Sequence, residues 1–349
     1  PLKKQKASFM LAGRTSYAHL FLKLADNENS AKFYDLNSKL NYKINENNSL
    51  HFSGYLGKDV FDINDSFSSK YGNTMGKLNW KHRFHKNIDT DLSIFYSDYQ
   101  FGLTLNTLSF NWDSGIESYG LKYAWQHYIS DDIQLNYGVD ATYYDFNPGI
   151  LIPNSPESTV NYRELDRKYA LEPSVYLDIN QKIGDHLEIR YGLRYSTFYR
   201  YGKQKVNIYA NSPVNYNPVY NIYQEATPIG TKFYDSGEVI SSFDNFEPRA
   251  ALSYILNDES SIKASYNRMA QYLHIVSNSQ SPTPVNIWTP SGPFIEPQIL
   301  DQYAIGYFRN FDNNRYSLET EAFYKAIDNR IDYVDGADLI ANNDIEQVL

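Results

Sequence analysis

The feature that most restricts what this chain can fold into is an alternation of apolar and polar residues with a period of two. From His186 to Gly202, Leu187, Ile189, Tyr191, Leu193, Tyr195, Thr197, Tyr199 and Tyr201 share one parity. His186, Glu188, Arg190, Gly192, Arg194, Ser196, Phe198 and Arg200 share the other. Side chains of a strand point alternately to the two sides of a sheet, so this stretch reads as a strand with one apolar and one polar wall. At about 3.3 Å per residue it reaches roughly 50 Å. A tilted strand crosses a bilayer in about 9–11 residues, so the end is expected to project beyond a membrane. The aliphatic residues lie near one end and tyrosines dominate toward the other, as an aromatic girdle at an outer interface predicts.

The pattern recurs along the chain. In 168–182, Tyr169, Leu171, Val175, Leu177 and Ile179 oppose Glu172, Ser174, Asp178 and Asn180. The period-two criterion predicts roughly thirteen strands. Their spans are 7–17, 32–45, 49–62, 73–84, 90–105, 114–128, 133–147, 167–182, 186–202, 244–256, 261–276, 299–310 and 315–331. No region sustains a helical period, and the stretch from Ser16 to Leu24 is read as loop with at most a helical turn.

Connector lengths alternate as well. Short ones such as Asn45-Glu46-Asn47-Asn48, His85-Lys86-Asn87, Gly184-Asp185 and Asn257-Asp258-Glu259 are interleaved with long segments near 150–165, 204–242 and 278–297. Tight turns at one end of the strand pairs and long loops at the other describe an outer-membrane barrel. The expected fold is therefore all-β: a transmembrane antiparallel up-and-down β-barrel with short periplasmic turns and long extracellular loops, in the bacterial outer membrane. The mean hydropathy of −0.56 does not oppose this, because only every second residue of such a strand meets lipid.

Composition removes other classes. There is no cysteine, so neither a disulfide framework nor a cysteine-bearing zinc site is available. A net charge of −9 argues against a general nucleic-acid partner. Glycine-rich phosphate loops, GxSxG and HExxH are all missing, and Ser118 and His127 fall on opposite faces of one strand, so no enzyme is expected. No apolar run follows Pro1-Leu2-Lys3-Lys4-Gln5-Lys6, so this opening is not a signal peptide. An exported protein needs one, and an odd number of strands cannot close a single-chain bacterial barrel. The chain is thus expected to be part of a longer barrel whose remaining strands satisfy its edges.

From Asn245 onward the sequence resembles a known family. The residues concerned are Phe246-Glu247-Pro248-Arg249-Ala250-Ala251-Leu252-Ser253-Tyr254, Ser261-Ile262-Lys263-Ala264-Ser265-Tyr266-Asn267-Arg268, and the loop from Pro282 through Trp288 to Gly292. Glu321-Ala322-Phe323-Tyr324-Lys325, Asn329-Arg330-Ile331-Asp332-Tyr333 and the opening Ser8-Phe9-Met10-Leu11-Ala12-Gly13-Arg14-Thr15-Ser16-Tyr17 add to it. Together they resemble the barrel of a TonB-dependent outer-membrane receptor of the Bacteroidota type. The resemblance implies a barrel of about 22 strands around a plug domain, of which residues 1–349 would hold approximately the third to the fifteenth strand. It also implies import of a scarce nutrient (siderophore, haem, glycan or peptide) with energy from the TonB complex. Implied partners are outer-membrane lipid, the protein's own plug and remaining strands, the TonB complex and a surface lipoprotein; no cofactor is implied. The plug, the TonB-contacting segment and an aromatic-ended last strand are not found in this stretch, which stops at Gln347-Val348-Leu349. A passive porin or an adhesive structural barrel is the alternative, and a soluble carbohydrate-binding sheet protein the third reading.

Candidate ligand contacts sit in the long loops. Tyr209, Tyr216, Tyr220 and Tyr223 punctuate one loop whose backbone is restricted by Pro213, Pro218 and Pro228, and Trp288 and Phe294 lie in another among prolines. Aromatic rings offer large contact area at low entropic cost, and packing of loop on loop is the plainer explanation. Arg190, Arg194 and Arg200 face the lumen and are candidates for an anionic ligand or plug carboxylates, with charge balance of the wall the plainer role. His82 and His85 are spaced wrongly for one face of a strand, so no metal site is expected.

Overall fold

The computed structural model describes residues 6–17, 21, 24, 29–64, 66–276, 287–331, 342 and 344. Much of the segment from Ser16 to Leu24, the prolines at 282 and 284 and the chain ends at 1–5 and 345–349 lie outside the described residues. The wall consists of β1 (Ala7–Thr15), β2 (Ser30–Asn45), β3 (Asn48–Ile63), β4 (Phe67–His85), β5 (Ile88–Leu105), β6 (Phe110–Tyr128) and β7 (Ile133–Pro153). Beyond the small β8 (Arg163–Glu164) it continues with β9 (Lys168–Ile183) and β10 (Leu187–Tyr201). Four short strands come next: β11 (Gln204–Ile208), β12 (Val214–Asn217), β13 (Ile222–Glu225) and β14 (Gly230–Tyr234). The wall then resumes with β15 (Val239–Asn257) and β16 (Ser260–Gln271). Past the β17 (Leu273–Val276) and β18 (Ile287–Pro290) hairpin it ends in β19 (Gln298–Phe311) and β20 (Tyr316–Asp328).

Every wall strand pairs antiparallel with the next, in the order β1-β2-β3-β4-β5-β6-β7-β9-β10-β15-β16-β19-β20. Twelve of these thirteen follow the spans expected from periodicity, lengthened mainly at the loop end; the strand expected over 261–276 is divided instead, its wall part β16 ending at Gln271 and residues 273–276 pairing with β18 in a separate sheet. β7 alone runs for 21 residues, well beyond what a bilayer crossing needs. Asparagine chemistry makes several of the tight turns. Asn45 Oδ1 accepts the Asn47 N–H at 3.0 Å, and Asn257 Oδ1 accepts the Glu259 N–H at 3.0 Å, each side chain standing in for a turn carbonyl. Gly184, at φ 61°, occupies the left-handed position of the β9–β10 turn, where a Cβ is strained. The connector asymmetry holds with one modification: β3–β4 and β5–β6 are also joined by short links, through 64–66 and 106–109, at the loop end.

Register carries the alternation coherently across the sheet. One row reads Ala7–Tyr42–Leu50–Trp80–Leu92–Tyr123–Val139–Val175–Tyr195–Phe246. The adjacent row, on the opposite face, reads Ser8–Asn41–His51–Asn79–Ser93–Lys122–Asp140–Ser174–Ser196–Asn245. A slip of one residue anywhere would exchange the two faces, so every hairpin agrees on which side is apolar. The faces differ in exposure: Ile94 is 48 %, Val139 42 % and Leu193 44 % exposed, against 4 % for Ser93, 5 % for Ser174 and 0 % for Ser196. Small polar side chains are shielded while large apolar ones are open, which makes the polar face the concave one. Among the described residues no second layer covers the apolar wall, whose large side chains stay exposed, and this removes the soluble carbohydrate-binding sheet protein, which needs that wall packed on a second sheet. No helix among them is long and apolar enough to cross a membrane, which says nothing of crossing by strands.

The inner face is not polar along its whole length, as the sequence reading had it. On β5 the outward parity carries Leu92, Ile94 and Tyr96, and then the inward parity carries Tyr99, Phe101, Leu103 and Leu105. The β5–β6 register stays unbroken through this change, so it is chemistry and not a bulge that inverts. At the loop end the outward positions become polar, with Asp98, Gln100 and Asp113. Inward, Phe101, Leu103, Leu105, Phe110, Trp112 and Leu151 form a buried core with Leu165 and Ile287. The inversion marks the level at which the buried loop-end core begins.

Candidate functional site

The loop-end core is closed by elements that fold inward. β8 turns back along β7, pairing Ile150 with Glu164 and Leu151 with Arg163. The β17–β18 hairpin, registered from Leu273↔Pro290 to Val276↔Ile287, lays β18 against β6, β7 and β9. Ile287 enters the core around Trp112, and Trp288 and Leu273 pack on a second one made of Phe146, Ala170, Phe198 and Tyr272. Phe198 and Tyr272 stack with ring centroids 4.8 Å apart and planes 3° from parallel. Some polar groups trapped in this cap find partners: Lys168 Nζ donates to Thr289 Oγ1 at 3.3 Å, and His274 Nε2 lies 3.0 Å from Ser291 Oγ, while the indole N–H groups of Trp112 and Trp288 are buried without one. Burial, which opposes the charged form, pushes the His274 imidazole down to about 4.

Beneath the cap the concave face carries a charged network. Arg194 sits among three carboxylates, 3.1 Å from Asp140, 3.7 Å from Glu172 and 3.7 Å from Glu247. Ser196 Oγ donates to Glu247 Oε1 at 2.5 Å and lies 2.8 Å from Tyr272 Oη, which accepts a bond from Asn245 Nδ2 at 2.9 Å. Tyr144 donates to Glu172 at 3.1 Å. The network therefore ties β7, β9, β10 and β15 to Tyr272, where the inward-folded segment begins. One strand-turn nearer the short turns, Arg249 on β15 forks onto Asp178 on β9, with bonds of 2.5 and 2.7 Å. It reaches across β10 at Gly192, whose missing side chain leaves the path open.

The candidates named from sequence fall into separate groups. Arg194 joins the carboxylate network. Arg190 is exposed and lies 3.9 Å from Asp178, and Arg200 is fully buried, donating to Gln204 Oε1 at 2.5 Å. All three lie on the concave face but do not converge on one point. Of the loop aromatics, Tyr209 meets Phe294 edge to face at 5.5 Å, and burial raises the Tyr209 hydroxyl above its ordinary value. Tyr216 and Tyr223 pair at 5.2 Å on the exposed β12–β13 hairpin, with Tyr220 open at its tip. Trp288 is instead a packing residue of the cap. His82 and His85 bond to the turn asparagines Asn48 (2.8 Å) and Asn87 (2.9 Å), and among the described residues no metal-binding group of side chains forms. Sequence reading passed over Asp140, Glu172, Glu247 and Tyr272. Their parity was legible, but their convergence needs strands three apart in the sheet.

Comparison with known proteins places this architecture. A family model described as "TonB dependent receptor-like, beta-barrel" matches residues 15–344. No curated protein matches the chain. Among solved structures, the copper transporter OprC superposes with a TM-score of 0.64 at 9% identity, over 93% of this chain and 50% of that one. A double mutant of the hemophore receptor HasR of Serratia marcescens, bound to its hemophore HasA and heme, gives 0.63 at 11%, covering 94% and 51%. The ferric-catecholate import receptor Fiu of E. coli K12 gives 0.62 at 10%, covering 96% and 56%. The chain thus spans about half the length of the solved structures it matches, and at these identities the likeness is one of fold.

Proposed function

The chain belongs to the TonB-dependent receptor-like β-barrel family, and from that premise we propose that it forms part of the wall of an outer-membrane importer. The importer takes up a scarce nutrient (a siderophore, haem, glycan or peptide) with energy delivered by the TonB complex. One observation carries the reading: the apolar row and the polar row stay in register across ten strands, the apolar one exposed and the polar one concave. Such a wall suits lipid outside and a hydrated passage inside, because lipid offers no partner to unpaired backbone or polar groups. The strand sequences around Phe246–Tyr254 support a receptor of the Bacteroidota type.

Cargo would first meet the exposed Tyr216–Tyr223 hairpin and the Tyr209–Phe294 pair, then the inward-folded cap, then the Arg194 network facing a plug domain. Relatives in fold named for copper, heme and ferric catecholate support a cargo carried by a receptor and not by free diffusion. The test is uptake by cells carrying or lacking the full-length gene, with the TonB system intact or disabled. High-affinity uptake that needs both supports the proposal. Uptake that persists without TonB, rising linearly with concentration, points to a passive porin and overturns it.

A further inference from the structure

The long connection between β10 and β15 carries chemistry unlike the rest of the chain. From Val206 to Gly230 it holds four tyrosines, five asparagines and a glutamine, and Glu225 is its one charged residue. At the chain's own share of 21% charged residues, a stretch of that length would carry about five. The segment is also shaped. In β12–β13 the register Val214↔Glu225, Asn215↔Gln224 and Tyr216↔Tyr223 puts Val214, Tyr216 and Tyr223 on one face. Val214 packs against the core around Trp112, which anchors that face to the cap at one end. At the other end the rings of Tyr216 and Tyr223 lie 5.2 Å apart with planes at 53°, a shallow V that is 51% and 54% exposed. Tyr220 stands open at the tip.

The hairpin's own amides hold this shape. Asn217 Oδ1 accepts the Val219 and Tyr220 N–H groups at 3.0 and 3.4 Å, and Asn217 Nδ2 donates to Gln224 Oε1 at 3.0 Å. Tyr216 Oη donates to Asn221 Oδ1 at 2.5 Å. The rings are therefore set before anything binds, which removes the ordering cost of a loose loop. The ligand chemistry follows from what surrounds them. An anionic chelate or the propionates of haem call for Lys or Arg at first contact, and a cationic cargo calls for several carboxylates; this face offers neither. A wholly apolar ligand would cover the tyrosine hydroxyls and the Asn221 amide without bonding them. A sugar ring suits both parts: its C–H face lies on an electron-rich aromatic face, and its hydroxyls exchange hydrogen bonds with uncharged amides and phenols.

We propose that the Tyr216–Tyr223 face, with Tyr220 and Asn221 at its tip, binds a neutral oligosaccharide at the loop end of the barrel. The assignment rests on the importer reading and narrows its cargo to one class. It is tested by calorimetric titration of the full-length protein in detergent micelles. The probes are malto-, cello-, xylo- and mannohexaose, an oligogalacturonate of the same length, a ferric catecholate and a hexapeptide blocked at both ends. Saturable binding of a neutral hexaose, at least tenfold tighter than any of the other three probes, is expected. Two rings stacked at the usual strength of aromatic contacts change affinity about 5- to 150-fold, so Y216A/Y223A should weaken binding by that factor. Y216F/Y223F keeps both ring faces and loses less. Tyr162→Ala, which removes an equally open tyrosine from the loop after β7, leaves affinity unchanged. Preference for the oligogalacturonate, the catecholate or the peptide, no binding of any hexaose, or an equal loss in Tyr162→Ala overturns the assignment. Binding is read without TonB, so a protein that imports through TonB but ignores every hexaose loses the sugar assignment alone. A protein that binds a hexaose and admits it without TonB loses the importer reading and keeps the sugar face.

Discussion

The Arg249–Asp178 fork across Gly192 supports a quantitative prediction. Gly192→Ala adds one methyl group on the concave face between the two partners. Its Cβ would lie 2.6 Å from the Leu177 carbonyl oxygen, closer than real Cβ contacts come, and it would collide with Asp178 Oδ1. The carboxylate has to swing away, and with it go two charge-assisted hydrogen bonds of 2.5 and 2.7 Å. Such bonds contribute about 1.5–3 kcal/mol each when buried. Asp178 is 4% exposed but Arg249 is 35% exposed, so part of the loss is recovered by water at the arginine. The expected destabilisation is therefore about 2–3 kcal/mol. Urea unfolding of the full-length barrel in micelles, followed by tryptophan fluorescence, measures it. A cycle with Asp178→Ala isolates the cause, because once the carboxylate is gone the added methyl has only the backbone to displace. The double variant should lose less than the summed single losses by at least about 1 kcal/mol. Additivity within about 0.5 kcal/mol would refute the idea that Gly192 is there to let the ion pair through.

Three further outcomes are expected. Leu121→Arg on the convex wall should cost about 2–4 kcal/mol in lipid, whereas Gln134→Arg on the concave face should cost well under half of that; equal costs in the same unfolding assay would contradict the lipid-facing assignment. His274 is held neutral, with its folded value near 4 below the unfolded value near 6.5, so docking of the β17–β18 hairpin is fully stable above pH 6.5 and weakens as pH falls toward 4. Hydrogen exchange of residues 273–276 should accelerate across that window, by up to about 3 kcal/mol in opening free energy, and His274→Gln should flatten the response. Phe198→Ala removes a fully buried ring stacked on Tyr272, and about 3–5 kcal/mol of stability should go with it; the thermal melt of the cap, followed by near-ultraviolet circular dichroism, is the measurement.

Much of this molecule is written locally. The alternation in Leu187–Tyr201, and the asparagines at positions 45 and 257, settle where strands run and where they turn, because a strand's faces and a turn's hydrogen bonds depend only on near neighbours. Even the change of parity on β5, from Leu92, Ile94 and Tyr96 to Phe101, Leu103 and Leu105, stands in plain sight in the letters. What it means does not, because an inward apolar residue and an outward one look alike until neighbouring strands declare which face is concave. The structure alone decided that the β17–β18 hairpin folds inward onto Trp112 and Phe198, that Arg249 finds Asp178 at a separation of 71 residues, and that Val214 ties the Tyr216–Tyr223 face to the Trp112 core. Each of these depends on side chains meeting across strands that are distant in the chain, and register between such strands is a property of the whole sheet.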